Sequence, residues 1–159
     1  MDRRTSPHRG VAEAFRPAVR GRRGAVCCGH PLASQAGLQI LQQGGNAVDA
    51  AVATGAALGV VEPMMSGIGG DGFLMLYWAS DSAVSVVNAT GAAPGRATRE
   101  AYLQGGIPMK GIRSVSVPGI VDGWLEAHRR YGSLPLADVL RPAVELASEG
   151  FPVLSLIHI

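Results

Sequence analysis

The chain reads as an α+β fold, and three observations predict it. Two apolar runs, residues 73–78 and 83–88, flank Ser80, Asp81 and Ser82, the pattern of two strands joined by a turn into an antiparallel hairpin. Helical patterns lie on both sides of that hairpin in sequence, opened by residues suited to helix starts: Pro31, Asn46, Pro118 and Pro135. At 159 residues and 47% hydrophobic, the chain can bury one core and is too short to expect two. With no internal repeat, helices layered on one side of hairpin-connected strands are the expected arrangement.

The elements run in order along the chain. Residues 24–28 are short, apolar and followed by Gly29, so they predict a buried strand in which Cys27 and Cys28 are two small buried residues. Adjacent cysteines cannot easily close a disulfide. There is no CxxC spacing, and no histidine stands near both thiols, so no metal site is expected. Pro31 suits a first helical turn, where its missing donor costs nothing. Ala33, Ala36, Gly37, Ile40 and Leu41 share one face before Gly44 and Gly45 end the helix.

Asn46 can cap a second helix, with Asp49 placed to complete a capping box. That helix, residues 47–61, is alanine-rich on every side and therefore predicted to be buried all round. Glu62-Pro63 ends it, because proline disfavours helical geometry in the residue before it. Beyond the hairpin, Thr98 predicts the cap of a short helix through Tyr102, and residues 113–117 a brief strand. Pro118 opens a helix expected to bury Val121, Trp124 and Leu125. Residues 135–148 predict a helix kinked or broken near Pro142.

The net charge of +2 hides an asymmetry. Residues 1–23 carry seven arginines against Asp2 and Glu13, which leaves about −3 for the rest. Residues 1–23 are expected to be a basic, disordered tail rather than a nucleic-acid arm. No signal-peptide core follows the arginines, and no window reaches the roughly 18 apolar residues of a membrane span, so a cytoplasmic protein with no membrane or nucleic-acid partner is expected.

Several constellations invite chemistry. Ser66-Gly67-Ile68-Gly69-Gly70-Asp71-Gly72 looks like a phosphate cradle, but such cradles follow a strand and open a helix, and here a helix precedes and a strand follows. A tight bend needing positive φ or close backbone approach explains the glycines better. No GxSxG elbow is present, and His8, His30, His128 and His158 have no evident catalytic partners. His128, beside Arg129 and Arg130, is expected on a solvated face. His30, at a helix start, is expected to make a local backbone hydrogen bond. Asn88-Ala89-Thr90 matches a glycosylation acceptor, which matters only in a secreted chain.

A denser signal runs through these motifs. His30-Pro31-Leu32-Ala33-Ser34, Gly44-Gly45-Asn46-Ala47-Val48-Asp49-Ala50-Ala51, Val61-Glu62-Pro63 and Ser66-Gly67-Ile68-Gly69-Gly70 occur in order. Ser114-Val115-Ser116-Val117-Pro118-Gly119, Asp122-Gly123-Trp124 and Gly150-Phe151-Pro152-Val153 complete the series. From Arg16 to Val153 the chain resembles the opening of the heavy subunit of the γ-glutamyltranspeptidase family, amidases that cut themselves to expose a threonine nucleophile. The resemblance implies an N-terminal fragment of an αββα N-terminal-nucleophile hydrolase sandwich, acting on glutathione or another γ-glutamyl amide, with no metal or organic cofactor. It implies a domain over residues 24–153, with Ser66, Gly67, Gly69, Gly70 and Asp71 in a loop shaping the substrate cavity and Asn88 and Thr90 at the substrate.

The resemblance also marks two departures. Typical members carry an arginine four residues before the proline equivalent to Pro94, where it grips the substrate α-carboxylate; this chain has Thr90. A related subgroup carries its arginine two residues before that proline, where this chain has Ala92. Arg96 and Arg99 lie nearby, at the start of the following helix. The threonines are Thr5, Thr54, Thr90 and Thr98, none in the family's Thr-Thr-His setting, so no catalytic residue is assigned. The intact parent is expected to be the enzyme and the fragment alone inactive, with the remainder of its own precursor, the light subunit, as partner and a small amide as substrate. A different acyl amide, or a non-catalytic scaffold role, are the alternatives. Residues 154–159 read LSLIHI, the translation of the transposon-end sequence CTGTCTCTTATACACATC, and are expected to be a non-native tail. Strands awaiting partners would leave exposed apolar faces and poor solubility.

Overall fold

The computed structural model describes residues 19–153; the expectations for the tail before residue 19 and for residues 154–159 fall outside the described residues. The elements run α1 (Pro31–Gln42), α2 (Ala47–Val61), β1 (Gly72–Trp78), β2 (Ala83–Ala89), α3 (Arg99–Tyr102), a 3₁₀ turn (Ile112–Ser114), α4 (Ile120–Tyr131) and α5 (Leu136–Glu149). Helix α2 is the hub: α1 and α5 pack on it, and α4 lies between it and the hairpin.

Helix α1 starts at Pro31 and stops at Gly44-Gly45, where the Gly45 N–H donates to Ile40 O at 3.0 Å. Its buried face is Ala33, Ala36, Gly37 and Ile40. A side chain on Gly37 would run into Thr54 and the Ala50 carbonyl of α2, so glycine there permits the two helices to touch backbone to backbone. Helix α2 is buried almost all round, with only Ala47 and Ala51 exposed. Ile40, Val48, Val52, Ala53, Val87, Trp124, Ala127 and Val139 form the main cluster. Fully burying one side chain such as Ile40 contributes about 2 kcal/mol.

The capping box at α2 does more than close a helix end. Asn46 Oδ1 accepts from the N–H groups of Val48 and Asp49 at 2.8 and 3.1 Å, and Asp49 Oδ2 accepts from Asn46 N at 2.9 Å. The same Asp49 carboxylate, fully buried, accepts from Ser133 N at 3.1 Å, Ser133 Oγ at 2.6 Å and Leu134 N at 3.3 Å. It therefore ties the start of α2 to the turn between α4 and α5. Asn46 Nδ2 adds a bond to Tyr131 O, and His128 Nε2 sits 3.7 Å from Asp49 Oδ1.

Strands β1 and β2 pair antiparallel from Gly72 opposite Ala89 to Trp78 opposite Ala83. Ser82 takes a φ of 50° in the turn. One face, with Leu74, Leu76 and Val87, packs on α4 and the core. The other carries Phe73, Met75, Tyr77, Val84 and Val86, all exposed, with Phe73 at 67% and Met75 at 76%.

Several expectations are corrected. Residues 24–28 form no strand, because among the described residues the sheet consists of β1 and β2 and offers that segment no ladder partner; Cys27 is exposed and Cys28 half-buried. Cys28 Sγ lies 3.0 Å from Ser34 Oγ. Residues 113–117 make a 3₁₀ turn and an extended run joined to residue 92 by one backbone bond, from Val117 N to Ala92 O at 3.1 Å, so no ladder develops. Helix α4 buries Gly123, Trp124 and Ala127, whereas Val121 and Leu125 are 38% and 42% exposed. The small Gly123 lets α4 settle against Ala89, which rotates Val121 and Leu125 outward. The short helix expected from Thr98 through Tyr102 is present, with Thr98 at its cap position but making no side-chain bond, and α5 runs through Pro142 without a break. His128 is not on a solvated face: its Nε2 is 2.8 Å from Leu134 O and its side chain is 17% exposed, because it folds over the α4–α5 turn.

Burial pushes the Asp49 carboxyl up, but hydrogen bonds from Ser133, Asn46 and Leu134 more than offset this and hold it below its ordinary value of 3.8. A lowered folded-state pKa gives stability that is complete above the unfolded value and lost as pH falls through the folded one. Urea unfolding should therefore show stability declining below pH 3.8, with a flatter profile for Asp49→Asn. Asp49→Ala, which leaves the N–H groups of Asn46, Ser133 and Leu134 without their acceptor, should cost about 3 kcal/mol at neutral pH in the same measurement.

Candidate functional site

The end of β2 leads into the loop the sequence marks for substrate. Asn88 Oδ1 accepts from Thr90 N at 2.9 Å and from the Thr90 hydroxyl, a side-chain turn that bends the chain out of the sheet. Asn88 and Thr90 are both exposed, and Asn88 lies opposite Phe73 on the open face of the hairpin. The Thr90 hydroxyl hydrogen is already committed to Asn88.

Asp71 gathers the neighbouring segments. Its Oδ1 accepts from Gly91 N at 3.0 Å, and its Oδ2 from the Ser116 hydroxyl. The adjacent Gly70 carbonyl accepts from Gly119 N at 3.1 Å and Ile120 N at 3.0 Å. Three segments distant in sequence, the glycine loop, residues 90–92 and residues 116–120, thus meet at one carboxylate. Gly91 has to be glycine, since a Cβ there would collide with the Val117 carbonyl. The Ser116 hydroxyl, then Gly91 N, hold the Asp71 carboxyl below its usual range, burial opposing them weakly.

Beside this junction lies a cleft of about 580 Å³. Ala93, Pro94, Tyr102, Leu103, Ile107 and Val115 supply its apolar wall. Gly91 and Ser116, both held by Asp71, line it too, as do Arg99 and Arg113. Tyr102 OH donates to Arg113 O at 3.1 Å, fastening α3 to the segment opposite. Ser66, Gly67, Gly69, Gly70, Asn88 and Thr90 are not among the lining residues; the glycine loop reaches the cleft only through Asp71. None of its glycines has a left-handed φ; a side chain on Gly67 or Gly69 would meet nothing, whereas one on Gly72 would collide with Ile120. Arg96 does not line the cleft; Arg99 does. Arg113 carries no local pattern that singles it out, and Ser116 is marked only as part of the run 114–119, because the segments they meet lie far away in sequence.

The remaining candidates are accounted for locally. His30 is 2% exposed, and its Nδ1 accepts from Leu32 N at 3.2 Å, the local bond expected of it, while its Nε2 is buried without a hydrogen-bond partner among the described residues. Thr54 is buried with its hydroxyl donating to Ala50 O at 2.7 Å. Among the described residues no group of three His, Cys, Asp or Glu converges to hold a metal ion, and no helix is long and apolar enough to cross a membrane.

Comparison with known proteins adds the family. Residues 33–157 match the model of the gamma-glutamyltranspeptidase family. The chain is 48% identical over 138 residues to the glutathione hydrolase-like YwrD proenzyme of Bacillus subtilis, covering 86% of this chain and 26% of that one. It is 48% identical over 145 residues to the acylase ACY 1 proenzyme of Pseudomonas sp. strain SE83, with 84% and 26% covered. Among solved structures, cephalosporin acylase from Bacillus halodurans superposes with a TM-score of 0.83 at 40% identity, over 98% of this chain and 29% of that one. The gamma-glutamyltranspeptidase of Helicobacter pylori does so with a TM-score of 0.78 at 35% identity, over 85% and 40%. The chain thus spans about a quarter of the length of the curated relatives it matches. Its helices, its hairpin and the loops that meet at Asp71 have the α+β fold of an N-terminal-nucleophile hydrolase, and the chain belongs to the γ-glutamyltranspeptidase family.

Proposed function

We propose that this chain is the acyl-recognition part of a longer amidase, which hydrolyses or transfers the γ-glutamyl group of glutathione or a related amide. The observation that carries this reading is the family match over residues 33–157. In the whole protein a threonine freed by self-cleavage attacks the amide carbonyl, an acyl-enzyme forms, and water or an amine releases it. None of the chain's four threonines stands in the family's Thr-Thr-His setting, and two are committed elsewhere: Thr54 is buried and bonded to its own helix, and Thr90 is bonded to Asn88. The 159 residues alone are therefore inactive, and the open face of Phe73, Met75, Tyr77, Val84 and Val86 is covered by the remainder of the same precursor. That both closely matched relatives are named proenzymes supports this partner.

A second reading, an acylase taking another small acid, is favoured by one specific feature. Neither Thr90 nor Ala92 can supply the guanidinium that a γ-glutamyl α-carboxylate would need at those positions.

The full-length protein should split into two chains on maturation and release the chromophore from a γ-glutamyl anilide. Splitting without release selects the second reading, and neither event means a non-catalytic scaffold. Asp71→Ala should lower kcat/KM by roughly 10–100-fold while cleavage into two chains persists, because it frees residues 90–92 and 116 from their common anchor. Steady-state kinetics beside gel analysis separates the two effects. The isolated chain should bind an apolar dye such as anilinonaphthalene sulfonate through its open hairpin face, and the full-length protein should not.

A further inference from the structure

We propose that the loop from Leu103 to Arg113 is a surface that binds an anionic lipid bilayer, its apolar side chains entering the headgroup layer and its cations meeting the lipid charge. This goes beyond the amidase reading and does not depend on it. The loop carries Leu103, Ile107, Met109 and Ile112, all exposed, with Met109 at 95% and Ile112 at 87%. Lys110 and Arg113 stand among them and Arg96 and Arg99 precede them, against Glu100 as the one acid from 96 to 113. Apart from Arg20, Arg22 and Arg23 at the start of the described residues, the rest has the opposite sign. Residues 24–95 hold Asp49, Glu62, Asp71 and Asp81 with no Lys or Arg, and residues 114–153 hold five acids against three arginines. An anionic surface therefore repels most of the chain and attracts this segment.

Two kinds of exposed apolar surface are present, and their chemistry differs. The open hairpin face of Phe73, Met75, Tyr77, Val84 and Val86 contains no charged residue, as suits a face that another protein layer covers. In the loop a charged residue falls within three positions of every large apolar one. Burying those cations against protein would require anions to pair with them. A headgroup layer supplies the anions and stays wet, so Lys110 can keep its ammonium in water while its stem lies along the lipid.

The loop is shaped before it binds. Gly105, Gly106 and Gly111 have φ of 95°, 70° and 94°, and a side chain at any of them would meet nothing, so backbone conformation and not packing requires these glycines. The ends are fastened: the Tyr102 hydroxyl donates to Arg113 O at 3.1 Å, Gly106 N to Tyr102 O at 3.1 Å and the Ser114 hydroxyl to Gly111 O at 2.7 Å. Ile107, Met109 and Lys110 lie between these ties, and Pro108 among them brings no backbone N–H to desolvate. Less ordering entropy is then lost on binding. The expectation of no membrane partner rests on the lack of a spanning segment, and no helix among the described residues can cross a bilayer. A surface contact needs only a few apolar side chains set among cations.

The test is co-sedimentation of the full-length protein with vesicles of phosphatidylcholine and phosphatidylglycerol in equal amounts. Binding should be at least about 10-fold tighter than to phosphatidylcholine alone and should weaken as salt is raised. Met109→Asp and Ile112→Asp should each weaken it about 10-fold, and Lys110→Glu about 5-fold or more. All three residues are exposed and none lines the cleft. Unfolding midpoints, and turnover of whichever anilide the protein cleaves, should therefore not change in the variants, which separates a lost surface from a lost fold. No binding to the mixed vesicles, equal binding to neutral ones, or binding unchanged in all three variants overturns the assignment. The last result would give the contact to the arginines of residues 1–23 instead. Loop-dependent binding by a protein that neither splits nor cleaves an amide upholds it while removing the amidase reading.

Discussion

The Asp49 carboxylate is the constraint on which the rest of the structure depends. A buried ionised group is costly unless every lone pair is used. Here it is used on both sides of a joint: Asn46 N at the start of α2, and Ser133 and Leu134 at the turn between α4 and α5. Residues 84 positions apart are thereby fixed to one point. Once that point is set, α2 lies between α1 and α5, α4 is fixed across the hairpin, and Trp124 falls against Gly55 of α2. The apolar contacts supply most of the stabilisation, but they are non-directional. The carboxylate supplies the register.

Asp71 repeats this logic at the surface. It too joins segments distant in sequence, Gly91 and Ser116, by accepting from one backbone N–H and one hydroxyl. The difference is burial. Asp49 is sealed within the helical layer, whereas Asp71 stands exposed at the lip of the cleft, where its bonds position two lining segments rather than the core. The glycine loop is thus connected to the cleft through the Asp71 side chain. Of its glycines, Gly67 and Gly69 face open space, whereas Gly72 is seated closely against Ile120.

The hairpin divides the molecule's finished side from its open one. Leu74, Leu76 and Val87 meet α4 and the core, while Phe73, Met75, Tyr77, Val84 and Val86 on the opposite face have water as their neighbour. Strand alternation would ordinarily put polar residues on a solvated face. A sheet apolar on both faces is built to lie between two layers, and only one is present among the described residues.

Much of this was legible in the sequence because it is local. Helix starts and stops at Pro31, Asn46 and Glu62-Pro63 depend on side chains and backbone groups within a few residues, as does the hairpin register around residues 80–82. The capping box at Asn46 and Asp49 could be read for the same reason. What the sequence could not determine was everything requiring a partner far along the chain. Residues 24–28 have strand-like composition, but a strand exists only where a neighbour offers a ladder, and none among the described residues does. Val121 and Leu125 fit a helical face, but the close seat of Gly123 on Ala89 decided which face turned inward. Only tertiary structure could show that Asp49 serves two helix junctions, that His128 folds over one of them, and that Arg113 joins Arg99 across a cleft while Arg96 does not. Local patterns are fixed by bonds that close within a turn or two of chain, whereas a site is fixed by which distant segments the packed core allows to meet.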